Sequence, residues 1–119
     1  MFIDHIVISV RNLKASTKFY SAFLGKAKMG KEDAHWILGD TKFFITFPYK
    51  KSARKFDKHN LGLNHIAFRV KTLAELKSYE RELNKSSMTH SGITVDKYSK
   101  KEFIWLNDPD GIRLEFYLR

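Results

Sequence analysis

Two histidines and a glutamate are the residues of this chain whose types and spacing suit the binding of a metal ion. His5 lies in Asp4-His5-Ile6-Val7-Ile8-Ser9-Val10, and a segment of the same kind returns sixty residues later as Asn64-His65-Ile66-Ala67-Phe68-Arg69-Val70. Glu115 lies near the end of the sequence, inside Ile112-Arg113-Leu114-Glu115-Phe116-Tyr117-Leu118. Two imidazoles and one carboxylate form the facial ligand set typical of non-haem iron(II), which leaves about three octahedral positions open. Substrate oxygens or dioxygen can take those positions, with the ion acting as Lewis acid or as platform. The chain has no cysteine, which excludes disulfides, thiolate ligands and a cysteine nucleophile. A metal must therefore rest on His, Asp or Glu.

These residues need elements that aim them at one place, and an internal repeat supplies the pattern. At the same offset His5 meets His65, Ile6 meets Ile66, Val10 meets Val70 and Leu13 meets Leu73, with Phe19 against Tyr79 and Phe23 against Leu83. Each copy opens with an alternating strand. Ile6, Ile8 and Val10 form one face, with His5, Val7 and Ser9 on the other; Ile66, Phe68 and Val70 oppose His65, Ala67 and Arg69. The apolar faces should pack on helices, leaving the histidines on the opposite, concave side.

The spacing predicts a helix over Leu13–Leu24, capped by Asn12 and closed by Gly25. A second helix opens on the capping-box pattern Thr72-Leu73-Ala74-Glu75, with Leu73, Leu76, Tyr79 and Leu83 as its apolar stripe. Short strands are expected at about 27–31, His35–Leu38 and Phe43–Phe47, and again at Ile93–Lys97, Phe103–Leu106 and Ile112–Leu118. The unit is βαβββ, written twice. One domain spans 1–119, with module one at about 1–50, a connection at about 51–61 and module two at about 62–119. In the last strand Ile112, Leu114, Phe116 and Leu118 make the apolar face. Glu115 falls with Arg113 and Tyr117 on the polar one, the side expected to carry the histidines.

Composition bounds the partners. With 43% hydrophobic and 14% aromatic residues, the chain is of the folded, globular kind. No apolar run reaches the roughly twenty residues of a membrane-spanning helix. Asp4 and His5 interrupt the apolar start, and no signal peptide is expected, so the protein is expected in the cytoplasm. The net charge of +9 should draw anionic molecules toward the protein. Its densest basic stretch, 50–58, reads as a solvated connection, since no nucleic-acid-binding motif accompanies it. His35, beside Trp36, is a candidate acid–base group. Arg69 and Lys100 are candidates to bind an anionic group. His59 and His90 fall in expected loops and should face solvent.

The chain resembles the vicinal oxygen chelate superfamily of glyoxalases, bleomycin resistance proteins and extradiol dioxygenases. The resemblance covers nearly its whole length. It rests on Asp4–Val10, on Phe19-Tyr20-Ser21-Ala22-Phe23-Leu24-Gly25, on Leu63-Asn64-His65-Ile66-Ala67-Phe68, and above all on Asn107-Asp108-Pro109-Asp110-Gly111-Ile112-Arg113-Leu114-Glu115-Phe116. It implies an α+β fold in which paired βαβββ modules form a cup-shaped, partly open mixed β-sheet barrel. It also implies a divalent metal on His5, His65 and Glu115, with iron(II) or manganese(II) first and zinc(II) or nickel(II) open. Thr46 stands where glyoxalase I places a fourth ligand; its hydroxyl is a poor one and suits substrate contact instead. The resemblance further implies a homodimer, with the metal site built within one chain or between two, and acid–base groups of the His and Tyr kind, for which His35, Tyr98 and Tyr117 are the candidates. Two functions follow: a metal-dependent dioxygenase or lyase/isomerase acting on a small oxygen-rich anion, or a non-catalytic protein of the bleomycin-resistance type that sequesters its ligand.

Overall fold

Alternation in the first strand already sorts the first half of the chain into a buried and an open face. The structure, a computed structural model, describes residues 1–47, 50 and 54–119; Pro48, Tyr49 and residues 51–53 of the expected connection lie outside the described residues. It divides into two compact units, Met1–Arg54 and Lys55–Arg119. In the first, β1 (His5–Ser9) leads into α1 (Leu13–Leu24), then β2 (Lys28–Met29), β3 (Asp33–Leu38) and β4 (Thr41–Thr46). The sheet order is β1-β4-β3-β2. β1 runs parallel to β4, which the crossover through α1 permits, and the other neighbours are antiparallel.

The local signals hold α1 in place. Asn12 Oδ1 accepts from the Ala15 N–H at 2.9 Å, and Gly25, at φ 84, ends the helix in a conformation that suits a residue without Cβ. The Gly25 carbonyl then accepts from Trp36 Nε1 at 2.9 Å, tying the helix end to β3. Tyr20 is fully buried at the centre of this unit, its ring 5.2 Å from Phe43 and 5.8 Å from both Trp36 and Phe23. Ile8, Val10, Ala34 and Ile45 complete the core.

The second unit repeats the plan with β5 (Ile66–Val70), α2 (Leu73–Lys85), β6 (Thr94–Val95), β7 (Glu102–Asn107) and β8 (Arg113–Leu118), in sheet order β5-β8-β7-β6. The expected βαβββ unit is therefore present twice, with the same strand order each time. Thr72 Oγ1 accepts from the Glu75 N–H, while Glu75 returns its carboxylate to the Lys71 N–H rather than to that of Thr72. Leu76 and Leu83 are fully buried and Tyr79 stacks on Phe116 at 5.1 Å, whereas Leu73, at the first turn, stays exposed.

Two turns shape the open side of this sheet. Strand β6 is shorter than the expected Ile93–Lys97 because Asp96 starts a turn, its Oδ1 accepting from the N–H groups of Tyr98 and Ser99. Between β7 and β8, Asp108 Oδ1 accepts from the N–H groups of Asp110 and Ile112 at 2.9 and 2.8 Å. Gly111 sits at φ 89, and a Cβ there would come within 3.0 Å of Lys55 and 3.1 Å of the Phe56 carbonyl. No helix among the described residues is long and apolar enough to cross a membrane.

Candidate metal centre

Strand alternation puts His65, Ala67 and Arg69 on the open face of the second unit, and the register of β5 with β8 pairs Ala67 with Glu115 and Arg69 with Tyr117. The strand pairing therefore brings His65 and Glu115 together. His65 Nε2 lies 3.7 Å from Glu115 Oε2. That is too long for a hydrogen bond, but close to the roughly 3 Å between two ligand atoms at right angles on an ion with bonds of about 2.1 Å. His65 Nδ1 donates to Asn64 Oδ1 at 2.7 Å, which leaves Nε2 as the nitrogen with a free lone pair. Glu115 is only 8% exposed, an unusual burial for a carboxylate. It is held by Arg113 Nη2, 3.3 Å from Oε1, and the Arg113 guanidinium lies 4.2 Å from the Trp105 ring centroid.

These groups border a cavity of about 550 Å³ lined by His65, Ala67, Arg69, Asp96, Tyr98, Glu115, Tyr117 and Arg119. Arg69 donates through Nε to the Arg119 carbonyl at 3.1 Å, so its orientation is set from the end of β8. The Tyr117 hydroxyl donates to Asp96 Oδ2 at 3.0 Å and also meets Ser99 Oγ. Its hydrogen bonds are thus spent tying the 96–101 turn to β8. Tyr98, on the same turn, is exposed at the cavity. Asp96 has its carboxyl held below the usual range, first by the N–H groups of Ser99 and Tyr98 and then by Tyr117 and Lys100.

His5 belongs to the first unit. Its Nδ1 donates to Asp4 Oδ2 at 2.7 Å, the counterpart of the Asn64–His65 bond, and again leaves Nε2 free. That bond is the main reason the Asp4 carboxyl titrates below its ordinary value, with Lys42 adding to the effect. A second cavity, of about 320 Å³, is lined by Asp4, His5, Val7, Asp33, Lys42, Phe44 and Thr46. Among the described residues, Thr46 Oγ1 makes long contacts with the carbonyls of Glu32 and Phe47, at 3.4 Å each.

The structure thus brings His65, Glu115, Arg69 and Tyr98 to one cavity, and His5 with Thr46 to another. His35 stacks on Phe44 with centroids 4.7 Å apart and lines neither cavity. Lys100 lines neither as well; it sits exposed at φ 59 in the Asp96 turn. Among the described residues no three His, Asp or Glu side chains are gathered closely enough to hold an ion. His59 is exposed as expected, but His90 is half-buried, with Nε2 donating to Asn84 and Nδ1 accepting from the Gly92 N–H. Strand alternation sets Arg113 on the face of Glu115 but does not mark Asp4, Asn64, Asp96, Trp105 or Arg119 as parts of these sites. For Asp4 and Asn64 a signal existed, an oxygen-bearing side chain immediately before each histidine.

The family model described as Glyoxalase/Bleomycin resistance protein/Dioxygenase superfamily matches residues 2–116. A probable trivalent organoarsenical cleaving enzyme of Bacillus subtilis is 27% identical, over 95% of this chain and 77% of its own. The metallothiol transferase FosB of Lysinibacillus sphaericus is 25% identical, over 97% of this chain and 80% of its own. In fold, the chain is similar to the crystal structure of a glyoxylase/bleomycin resistance protein/dioxygenase domain from Frankia, with a TM-score of 0.81 at 23% identity, covering 99% of this chain and 97% of that one.

Proposed function

From the chain's membership of the Glyoxalase/Bleomycin resistance protein/Dioxygenase superfamily, we propose that it is a metal-dependent enzyme acting on a small, oxygen-rich anionic molecule. The observation that carries this reading is the approach of His65 Nε2 to Glu115 Oε2, 3.7 Å apart at the edge of a cavity bordered by two arginines. The donor set fits a divalent ion such as iron(II) or manganese(II), with zinc(II) and nickel(II) also compatible. His65 and Glu115 would hold it, with His5 as third ligand. A bound divalent ion supplies Lewis-acid polarisation of chelated oxygens, the first step shared by dioxygenase and lyase or isomerase outcomes.

The chain's own groups do the rest. Arg69, with Nε occupied by the Arg119 carbonyl, turns its remaining N–H groups to an anion in the cavity, and Arg119 adds a second guanidinium. Tyr98 is the hydroxyl placed to give or take a proton there, since that of Tyr117 is committed to Asp96 and Ser99. Thr46 offers a hydroxyl to substrate beside His5. His35 and Lys100 have no part in this reading. The protein works in the cytoplasm as a homodimer, with the metal site completed between chains. The names of the two relatives point to different reactions, cleavage of an organoarsenical and thiol transfer, so the reaction is left at the class they share as enzymes of small molecules.

A second reading, a protein that sequesters its ligand, draws on the aromatic walls that Tyr98 and Tyr117 give the cavity. Metal analysis of protein purified without a chelator or a histidine tag separates the two. Iron or manganese at one ion per chain, lost together with turnover in His65→Ala, supports the enzyme. Metal-free protein that binds ligand with undiminished affinity supports sequestration.

A further inference from the structure

We propose that Arg113 is a positioning residue for the ion site: stacked on Trp105, it grips one oxygen of Glu115 and so turns the other toward His65. The proposal rests on the reading that His65 and Glu115 hold a divalent ion. Arg113 and Glu115 are two residues apart on β8 and share a face, while the β7–β8 register sets Trp105 opposite Glu115. The guanidinium therefore lies between the indole and the carboxylate. It is 4.2 Å from the ring centroid, with Nη2 3.3 Å from Oε1. The Arg113 side chain is 19% exposed and that of Glu115 11%, so neither is free to swing through solvent.

One detail argues that the contact is kept for the carboxylate rather than for packing. Arg113 Nε is buried and has no hydrogen-bond partner among the described residues. A methionine or leucine would cover Trp105 at this position without stranding a buried donor. What the arginine adds is a planar cation whose orientation the indole fixes and whose far end meets Oε1. With Oε1 engaged, Glu115 presents only Oε2 to the space beside His65.

Two effects of opposite sign follow. A nearby fixed cation repels a metal ion, whereas a carboxylate held in its binding orientation has less freedom to lose when the ion arrives. We assign the larger effect to orientation, because partners of ligating side chains typically contribute about tenfold to a hundredfold in metal affinity.

The test is calorimetric titration of the whole protein with Mn²⁺, comparing wild type, Arg113→Met, Arg113→Lys, Trp105→Leu and Glu115→Gln, with the melting temperature of each metal-free protein recorded separately. Arg113→Met should lose about tenfold to a hundredfold in affinity. Arg113→Lys keeps the charge and a donor but not the planar stack, and should fall between it and wild type. Trp105→Leu, which leaves Arg113 in place but without its platform, should weaken binding in the same direction. Unchanged or tighter binding in Arg113→Met overturns the proposal, the tighter case by showing that repulsion dominates. So does a loss explained by a matching fall in the folded fraction. If Arg113→Met does not fold, the lysine and Trp105 variants decide, and wild-type affinity in both overturns the proposal. Failure of the wild type to bind Mn²⁺, or wild-type affinity in Glu115→Gln, instead removes the ion site itself and this inference with it.

Discussion

The two histidines are prepared alike, each by the residue before it. Asp4 and Asn64 differ in charge, yet both accept from a histidine Nδ1 at 2.7 Å, so that in the neutral ring the lone pair sits on Nε2. Such a bond fixes the tautomer and the ring angle, which is the usual contribution of a ligand's hydrogen-bond partner. Asn64→Ala should therefore reduce Mn²⁺ affinity by about tenfold or more, while Asn64→Asp, which keeps the accepting oxygen, should bind as well as wild type. Equal binding by Asn64→Ala and wild type in the same calorimeter would show that His65 needs no such anchor. At this scale the sequence was legible in part. Period-two alternation sufficed to put His65, Arg69 and Glu115 on one face. It carried no information on the burial of Glu115 at 8% exposure, because that depends on how Arg113 and Trp105 close over it from two strands.

At the level of elements, the turns have the most to say about the cavity in the second unit. The turn after β6 is held by Asp96 through two backbone N–H groups and the Tyr117 hydroxyl, which fixes the loop that carries Tyr98. Because the carboxyl of Asp96 is held low in the folded protein, its stabilising effect is present above the unfolded value of 3.8. It disappears as pH falls through the lower folded value. Asp96→Asn should thus melt at a lower temperature than wild type at neutral pH, with the gap closing below about pH 3.8. A gap independent of pH, in melts run from pH 7 down to about pH 2.5, would contradict this assignment. The DPDG turn gives a separate prediction. Gly111→Ala must accept φ 89 and push a methyl against Lys55 and the Phe56 carbonyl, so it should destabilise the protein by about 1–3 kcal/mol in a urea titration. The motif could be read in the sequence, but its contact with residues 55 and 56 could not. The extent of β6 was misjudged for a related reason: alternation continued through Ile93–Lys97, and the turn chemistry of Asp96 overrode it.

Across the whole molecule, the repeat in the sequence became a repeat in topology, with each unit ordering its strands identically and burying its own aromatic centre, Tyr20 in one and Phe116 in the other. Repeat detection made the fold class legible early, because each copy had to bury one apolar strand face beneath one helix. It could not say which chain supplies His5 to a site that also needs His65 and Glu115, since alternation fixes faces and says nothing of partners. A complementation experiment decides it. His5→Ala and Glu115→Gln should each lack a complete site when purified alone. If a homodimer builds each site from His5 of one chain and His65 with Glu115 of the other, then unfolding and refolding an equal mixture yields mixed dimers with one intact site. Random pairing should then restore about a quarter of the wild-type high-affinity Mn²⁺ sites. The undamaged site takes His5 from the Glu115→Gln chain and its carboxylate from the His5→Ala chain, so no restoration is possible when all three ligands come from one chain. A mixture that recovers no high-affinity sites, while refolded wild type recovers fully, would place the three ligands within a single chain.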